Sequence, residues 1–216
     1  METSRLRLAL SKGLFGNLRL AEIMLHGETI GPAHPDALAK RPVAVLFDEG
    51  EDLKDAMIYG NSGIEFRFDG AYAGGRALSV RGDGGGGPRF QREVGHAVPH
   101  WDFEIVENPQ PGQYRWLQFA WRALSPQTKG ITLHLPYAGG LGFHAGEYSP
   151  SDNATPQKVA ESPPAEWKTV RVDLWEKFKK PVRIQSLALY TKGGPAAFDQ
   201  IVLGRSEADL PPMKGQ

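Results

Sequence analysis

Aromatic and polar side chains are concentrated among glycines between Tyr137 and Tyr148. Tyr137, Phe143 and Tyr148 supply rings, while His144 and Glu147 supply groups that donate or accept hydrogen bonds. Sugars are bound by this combination, because rings stack on their C–H faces and polar groups pair with their hydroxyls. We interpret the segment as a glycine-rich loop and as a candidate saccharide-binding site.

Trp101 and Trp116 are candidates to extend that site as an aromatic platform. Trp116 belongs to a run in which Leu117, Phe119 and Trp121 alternate with more polar residues, so the run predicts a strand with one apolar face. The alternative for the 137–148 loop is that it folds its own aromatic side chains inward as a satellite hydrophobic cluster. The residues alone leave both interpretations open.

Catalytic chemistry has weaker support in the sequence. A glycosidase needs two carboxylates about 5–10 Å apart, and Glu104 with Glu107 or Glu147 with Asp152 are conceivable pairs. Among 25 acidic residues, however, such pairs also arise by chance. The chain has no cysteine and no Gly-x-Ser-x-Gly elbow, which excludes a thiol nucleophile and cysteine metal sites and leaves serine catalysis without its usual motif.

Short extended runs between turn signals are expected to position these residues. Their spacing, without long amphipathic helices between them, predicts an all-β antiparallel sandwich or jelly roll. The predicted strands are Val43–Phe47, Gly63–Phe68, Arg76–Val80, Asp102–Val106, Gln113–Ala123, Gly130–Pro136, Thr169–Asp173, Val182–Tyr190 and Ala197–Leu203. Two short helices are predicted over Glu51–Ile58 and Asp173–Lys179, with Asp173 as N-cap.

The chain is expected to carry further segments around this sandwich. Alternating apolar residues around a glycine-marked turn predict a β-hairpin before a proline-punctuated linker. The predicted organisation is a hairpin over 1–30, a linker over 31–42, the sandwich over 43–206 and a flexible tail over 207–216.

Three short motifs resemble a known family. They are Phe47-Asp-Glu-Gly, Ala73-Gly-Gly-Arg-Ala-Leu-Ser-Val and Ala197-Phe-Asp-Gln-Ile-Val-Leu-Gly. Together they resemble carbohydrate-binding modules and other galactose-binding-like jelly rolls. The segment from Asn17 to Gly27 is similar to the last strand of discoidin-type domains. The resemblance implies the end of one such module followed by a complete second one.

The resemblance also implies a structural calcium site. Calcium needs six to eight oxygen ligands, and the matching positions are Asp48 or Glu49 after the first strand and Asp199 in the closing strand. Backbone carbonyls around Gly74 to Arg76 would complete the set. Gln200 stands where many family members carry a second aspartate, which lowers the local negative charge.

Composition restricts the function further. Lys plus Arg (25) and Asp plus Glu (25) cancel, so no basic field indicates nucleic acid. We expect a non-catalytic carbohydrate-binding module that binds a polysaccharide or glycan, with Ca²⁺ as a structural cofactor. We also expect it to belong to a longer exported bacterial protein, extracellular or periplasmic, beside neighbouring domains, although no signal peptide is visible. The alternatives are a jelly-roll polysaccharide lyase or glycoside hydrolase, and an architectural domain that binds no sugar.

Overall fold

The computed structural model describes residues 41–50, 53, 63–83, 85–86, 102–135, 140–149, 155–185 and 187–214. The chain divides into two compact units, Met1–Ala33 and His34–Gln216, and every described residue belongs to the second unit. The predicted hairpin over 1–30, most of the predicted linker, Trp101 and Tyr137 lie outside the described residues.

The described part of the chain is built almost entirely from strands. They are β1 Val43–Phe47, β2 Ile64–Arg67, β3 Ala77–Val80, β4 Gly85–Gly86, β5 Phe103–Ile105, β6 Gln113–Tyr114, β7 Trp116–Ala123, β8 Gly130–Leu135, β9 Leu141–Gly146, β10 Thr155–Ala160, β11 Lys168–Asp173, β12 Val182–Ile184, β13 Ala188–Lys192 and β14 Ala196–Gly204. Each of the nine predicted strands overlaps at least one of these, which confirms the predicted all-β class.

Two sheets form the sandwich. The first sheet has the order β11-β7-β14-β3-β2, with β1 also pairing with β14, and the second has the order β10-β9-β8-β13-β4. Most neighbours are antiparallel, while β10 runs parallel to β9. A small third sheet has the order β12-β5-β6. The predicted antiparallel β-sandwich is therefore confirmed for the described residues.

Alternating apolar residues fill the space between the two sheets. Leu117, Phe119 and Trp121 of β7 are fully buried, as their spacing predicts. Phe119 and Phe143 of β9 have ring centroids 6.3 Å apart, so this contact joins the two sheets. Burying side chains of this size contributes about 1.5–3 kcal/mol each.

Strand β9 differs from the sequence-based expectation. The sequence predicts a loop over 137–148, whereas residues 141–146 form an extended strand paired with both β8 and β10. Leu141, Phe143 and Ala145 alternate with Gly142 and His144, and the first three belong to the core. The frequent glycines conceal a period-two pattern that packs one face of the strand inward.

A short helix follows β11. Helix α1 spans Leu174–Phe178, and Asp173 caps its N-terminus, because its Oδ1 accepts the Glu176 N–H at 3.1 Å. The predicted N-cap is thus confirmed. None of the helices in the described part of the chain has the length and apolarity required to cross a bilayer.

The C-terminal segment differs from the predicted flexible tail. Residues 207–209 form a 3-10 helix, and Leu210 is 6% exposed. The Lys214 N–H donates to the Tyr72 hydroxyl at 2.6 Å. These contacts fix the segment against the sandwich through its backbone as far as Lys214.

Candidate functional site

The outer face of the second sheet carries polar and aromatic residues in rows across its strands. One row contains, in spatial order, Lys158, His144, Thr132, Tyr190 and Gly85 from strands β10, β9, β8, β13 and β4. These residues alternate with core residues along β8 and β9, so their side chains point away from the core. We call this row the cross-strand row.

A second row lies two residues away along each strand. It contains, in spatial order, Pro156, Gly142, His134 and Ala188. The rings of His134 and Tyr190 are 6.3 Å apart, so the two rows are in contact. Sequence reasoning did not include Thr132, His134 or Tyr190 in the site. Thr132 and His134 alternate with Ile131, Leu133 and Leu135, and this pattern, which turns both side chains away from the core, could have identified them.

Gly142 provides the space for an aromatic ring. A Cβ atom on Gly142 would lie 2.5 Å from both Cε2 and Oη of Tyr148, much closer than a van der Waals contact. Tyr148 also packs edge-on against His144, with ring centroids 5.2 Å apart. The missing side chain at Gly142 therefore lets the Tyr148 ring lie on the face of the sheet.

His144 is held in one tautomer. Its Nδ1 lies 2.9 Å from the Gly146 carbonyl oxygen. Because a carbonyl oxygen only accepts, Nδ1 carries the proton and donates it. In the neutral ring, Nε2 is then a hydrogen-bond acceptor.

Thr132 provides a second polar group on this face. The residue is 1% exposed although its side chain points away from the core. Within the described residues, its buried hydroxyl oxygen has no hydrogen-bond partner. Together with Nε2 of His144, a residue that is 8% exposed, this hydroxyl gives the buried part of the cross-strand row both donor and acceptor capacity.

Glu147 lies just beyond the end of β9 and is exposed. Its carboxylate forms an ion pair with Lys192 at 2.6 Å, and the Lys192 hydrogen bond lowers the pKa of that carboxyl. A general acid requires a raised pKa. Glu147 is therefore suited to orienting a ligand hydroxyl rather than to protonating a leaving group.

The structure separates the predicted ligand-binding residues. His144, Glu147 and Tyr148 lie together on or beside the outer face of the second sheet. Phe143 is 1% exposed and faces the core, so it is not on that face. Trp116 alternates with core residues of β7, which places it on the outer face of the first sheet, across the sandwich.

The predicted metal ligands meet at another position, where β1 ends beside β14. We call Asp48, Glu49, Asp199 and the segment 72–76 the acidic corner. β14 has a bulge after Asp199, where Gln200 adopts a φ of 44°. The sequence resemblance therefore identified residues that the fold brings together.

Backbone N–H groups surround Asp199. Its Oδ2 accepts the N–H of Tyr72 at 2.8 Å and of Ala73 at 3.0 Å, and its Oδ1 accepts the N–H of Gln200 at 2.7 Å. Burial raises the pKa of this fully buried carboxyl to about 6, although these hydrogen bonds lower it.

Glu49 is bound in a similar way. Its Oε1 accepts the N–H of Gly75 at 2.7 Å and of Arg76 at 3.4 Å. The segment 72–76 thus directs N–H groups at both carboxylates, whereas the predicted calcium site required its carbonyls around Gly74 to Arg76. These N–H groups occupy carboxylate lone pairs that a calcium ion would also use, since Ca²⁺ is bound by oxygen atoms only, and calcium at this corner stays a prediction. Among the described residues, no group of three or more acidic or histidine side chains could hold a metal ion.

Solved structures similar to the chain include carbohydrate-binding modules. One is a mutant family 29 module (14% identity, TM-score 0.40, covering 79% of this chain and 99% of that one). Another is a family 11 module from Clostridium thermocellum in complex with a β-1,3-1,4-mixed-linked tetrasaccharide (10%, 0.35, 68% and 85%). A third is the glycoside hydrolase domain of Endo-D from Streptococcus pneumoniae R6 (14%, 0.40, 70% and 21%).

The module class that the sequence motifs resemble is thus found among the similar structures. Their identities of 14% or less and TM-scores of 0.40 or less assign neither a family nor a ligand to this chain. No protein-family model matches the chain. No curated protein matches it either.

Proposed function

We propose that the protein is a non-catalytic carbohydrate-binding module that holds a glycan chain against the outer face of the second sheet. The observation that carries this proposal is the cross-strand row, with the Tyr148 and Tyr190 rings on the same face. Both tyrosines are half-buried, so part of each side chain remains accessible to a ligand.

The geometry suits an extended ligand. Neighbouring strands are about 4.8 Å apart, so a row across five strands has a length of about 19 Å. A chain of several sugar residues lying across the strands would contact the half-buried Tyr190 and Tyr148 rings and the exposed Lys158. The Thr132 hydroxyl and the His144 ring, 1% and 8% exposed, lie beneath this surface. Stacking on tyrosine supplies most of the contact area, and the polar groups select hydroxyl positions.

The charge on this face favours binding over hydrolysis. Glu147 is ionised and paired with Lys192, and Lys158 is paired with Glu161. These pairs leave the described part of the face without a large net charge. A neutral or weakly charged polysaccharide is therefore the ligand that we propose.

The cellular location follows from the ligand. Structural polysaccharides lie outside the cytoplasm. We therefore propose that the module acts outside the cytoplasm, as one domain of a longer exported protein. Secretion of a tagged full-length parent protein, followed by cell fractionation, tests this part of the proposal.

The function is tested by affinity gel electrophoresis with a panel of soluble plant, algal and bacterial polysaccharides. We expect at least one polysaccharide to retard the wild-type protein. Tyr190→Ala is expected to weaken binding by about 2 kcal/mol, roughly thirtyfold, because a central stacking ring is lost. Trp116→Ala is the matched control, since it removes a half-buried ring from the opposite sheet and should leave retardation unchanged.

Three outcomes would contradict the proposal. Absence of retardation across the panel would favour an architectural domain. Equal loss in Tyr190→Ala and Trp116→Ala would place the site elsewhere. Release of reducing ends or unsaturated products from a polysaccharide would indicate a hydrolase or a lyase.

A further inference from the structure

Lys192 and Glu147 form an ion pair beside Tyr190. Along β13, Tyr190 and Lys192 are two residues apart, and Leu189 on the opposite face belongs to the core. The Tyr190 and Lys192 side chains therefore point to the same outer face, with their Cα atoms about 7 Å apart. The Lys192 ammonium lies 2.6 Å from the Glu147 carboxylate. The pair is thus next to a ring on which we propose that a sugar stacks.

Gly130 lets Glu147 come this close to Lys192. A third row lies two residues beyond the cross-strand row, on the side away from the second row, and contains Gly146, Gly130 and Lys192 in spatial order. A Cβ atom on Gly130 would clash with the Glu147 carbonyl oxygen, so the Glu147 backbone lies directly on the end of β8. The Glu147 N–H also donates to the Lys129 carbonyl oxygen at 2.9 Å. Glu147 is therefore fixed by its backbone beside the strand that carries Lys192.

Both members of the pair are charged and accessible. The Lys192 side chain is 48% exposed, and the Glu147 side chain is 50% exposed. The hydrogen bond between them raises the pKa of the Lys192 ammonium and lowers the pKa of the Glu147 carboxyl. An ammonium has several N–H donors and a carboxylate has two acceptor oxygens, so each group keeps hydrogen-bonding capacity for a ligand after pairing.

A donor and an acceptor this close together match two hydroxyls on neighbouring carbons of a sugar ring. Because a hydroxyl can donate and accept, one hydroxyl can accept from the Lys192 ammonium while the other donates to the Glu147 carboxylate. Equatorial hydroxyl oxygens on neighbouring carbons are separated by about the length of a hydrogen bond, whereas those on alternate carbons are much further apart. Both contacts would be charge-assisted and therefore stronger than hydrogen bonds between neutral groups.

We propose that Lys192 and Glu147 together bind a pair of neighbouring hydroxyls, and so select polysaccharides with a 1,4-linked backbone. The inference rests on the proposed function and names its ligand class. Sugars linked through positions 1 and 4 keep free hydroxyls on the neighbouring carbons 2 and 3. Sugars linked through positions 1 and 3 have no such pair within the backbone.

Isothermal titration calorimetry compares glucomannan, xylan and 1,4-linked galactan with the 1,3-linked glucan laminarin. We expect the wild type to bind at least one of the first three, and to bind laminarin at least about tenfold more weakly. Lys192→Met and Glu147→Gln should each weaken the tighter binding about tenfold, because each removes a charge-assisted hydrogen bond. Lys179→Met is the matched control, since it breaks an exposed pair with Glu176 at helix α1 and should leave binding unchanged. All three variants should melt close to the wild-type temperature, because exposed ion pairs contribute little to stability.

Failure of this inference and failure of the proposed function give different results. Unchanged binding in Lys192→Met and Glu147→Gln would overturn the inference, as would an equal loss in Lys179→Met. Binding of laminarin, or of any other polysaccharide, without binding of a 1,4-linked backbone would also overturn it. In each of these cases a loss of binding in Tyr190→Ala would leave the proposed function standing. Absence of binding by the wild type to every polysaccharide would instead contradict the proposed function itself.

Discussion

The two outer faces of the sandwich both carry polar side chains that alternate with core residues, and they differ in how these polar groups are used. On the first sheet, Arg171 donates to the Gln118 side-chain oxygen at 2.8 and 3.0 Å, and Gln118 donates to Gln200 at 3.1 Å. Arg171 also reaches the Pro211 carbonyl at 3.1 Å, so the C-terminal segment joins this network. Gln118 is fully buried.

The second sheet presents its residues differently. Its tyrosines keep part of their surface accessible, and the Thr132 hydroxyl finds no partner within the described residues. Polar groups that are satisfied internally contribute to folding, whereas the accessible parts of the two tyrosines are what the second sheet offers to a ligand. One face thus uses its polar groups to stabilise the fold, and the other is the face on which we propose that a glycan binds.

The largest expected effect on the first face follows from Arg171→Ala. This change leaves the buried Gln118 oxygen without its two charge-assisted hydrogen bonds, so we expect a loss of about 3 kcal/mol in unfolding free energy. Chemical denaturation measures the loss. The exposed Lys168→Ala on the same strand is the control, expected within about 0.5 kcal/mol of wild type. Equal effects of the two changes would remove the distinction between the network and the surrounding surface.

A smaller effect is expected at the end of β11. Burial raises the pKa of the Asp173 carboxyl, but hydrogen bonds from Arg115 and from the Glu176 N–H lower it further, so the pKa lies below its usual value. The ionised carboxylate therefore adds stability above the pKa of the unfolded chain, and this stability is lost as the pH falls through the folded pKa.

Asp173→Asn isolates this contribution, because asparagine still caps a helix but carries no charge. We expect the variant to lose about 1–2 kcal/mol at neutral pH, with the difference from wild type narrowing below about pH 4. Denaturation curves across the acid range measure it. A difference that stays constant with pH would show that the charge of Asp173 is not involved.

The smallest effect is expected at Gly142 and concerns binding. A methyl group in Gly142→Ala would displace the Tyr148 ring, so we expect binding to weaken by about 1 kcal/mol, roughly fivefold. The melting temperature should change little, because a flexible side chain can move aside. Gly142→Ala combined with Tyr148→Ala should be no weaker than Tyr148→Ala alone. Additive losses would mean that Gly142 does not act through Tyr148.

Much of the fold could be predicted from the sequence, because alternating apolar residues along β7 and β8 indicate which side chains enter the core. β9 and β10 could not, since glycines interrupt the pattern in one and Pro156 argues against a strand in the other. The sequence analysis included Phe143 in the site because it predicted a loop there, and a loop has no alternation that would have turned this side chain toward the core.

The candidate site was less accessible to prediction. The sequence indicated His144 and Tyr148, but Tyr190 and Thr132 join them only through the pairing of β8, β9 and β13. Strand register is a property of the folded sheet. In the acidic corner, residue types predicted the meeting of Asp48 and Asp199, while the direction of the backbone N–H groups in 72–76 depends on chain geometry that side-chain types do not encode.

Hydroxyl-radical footprinting with mass spectrometry tests binding at the second sheet most directly. It uses the protein without substitutions, together with a polysaccharide that retards it in affinity gel electrophoresis. We expect saturating polysaccharide to slow the oxidation of Tyr148 and Tyr190 and to leave the oxidation of the half-buried Trp116 unchanged. Protection of Trp116 with unchanged tyrosines would contradict binding at the second sheet, as would saturation that protects none of the three.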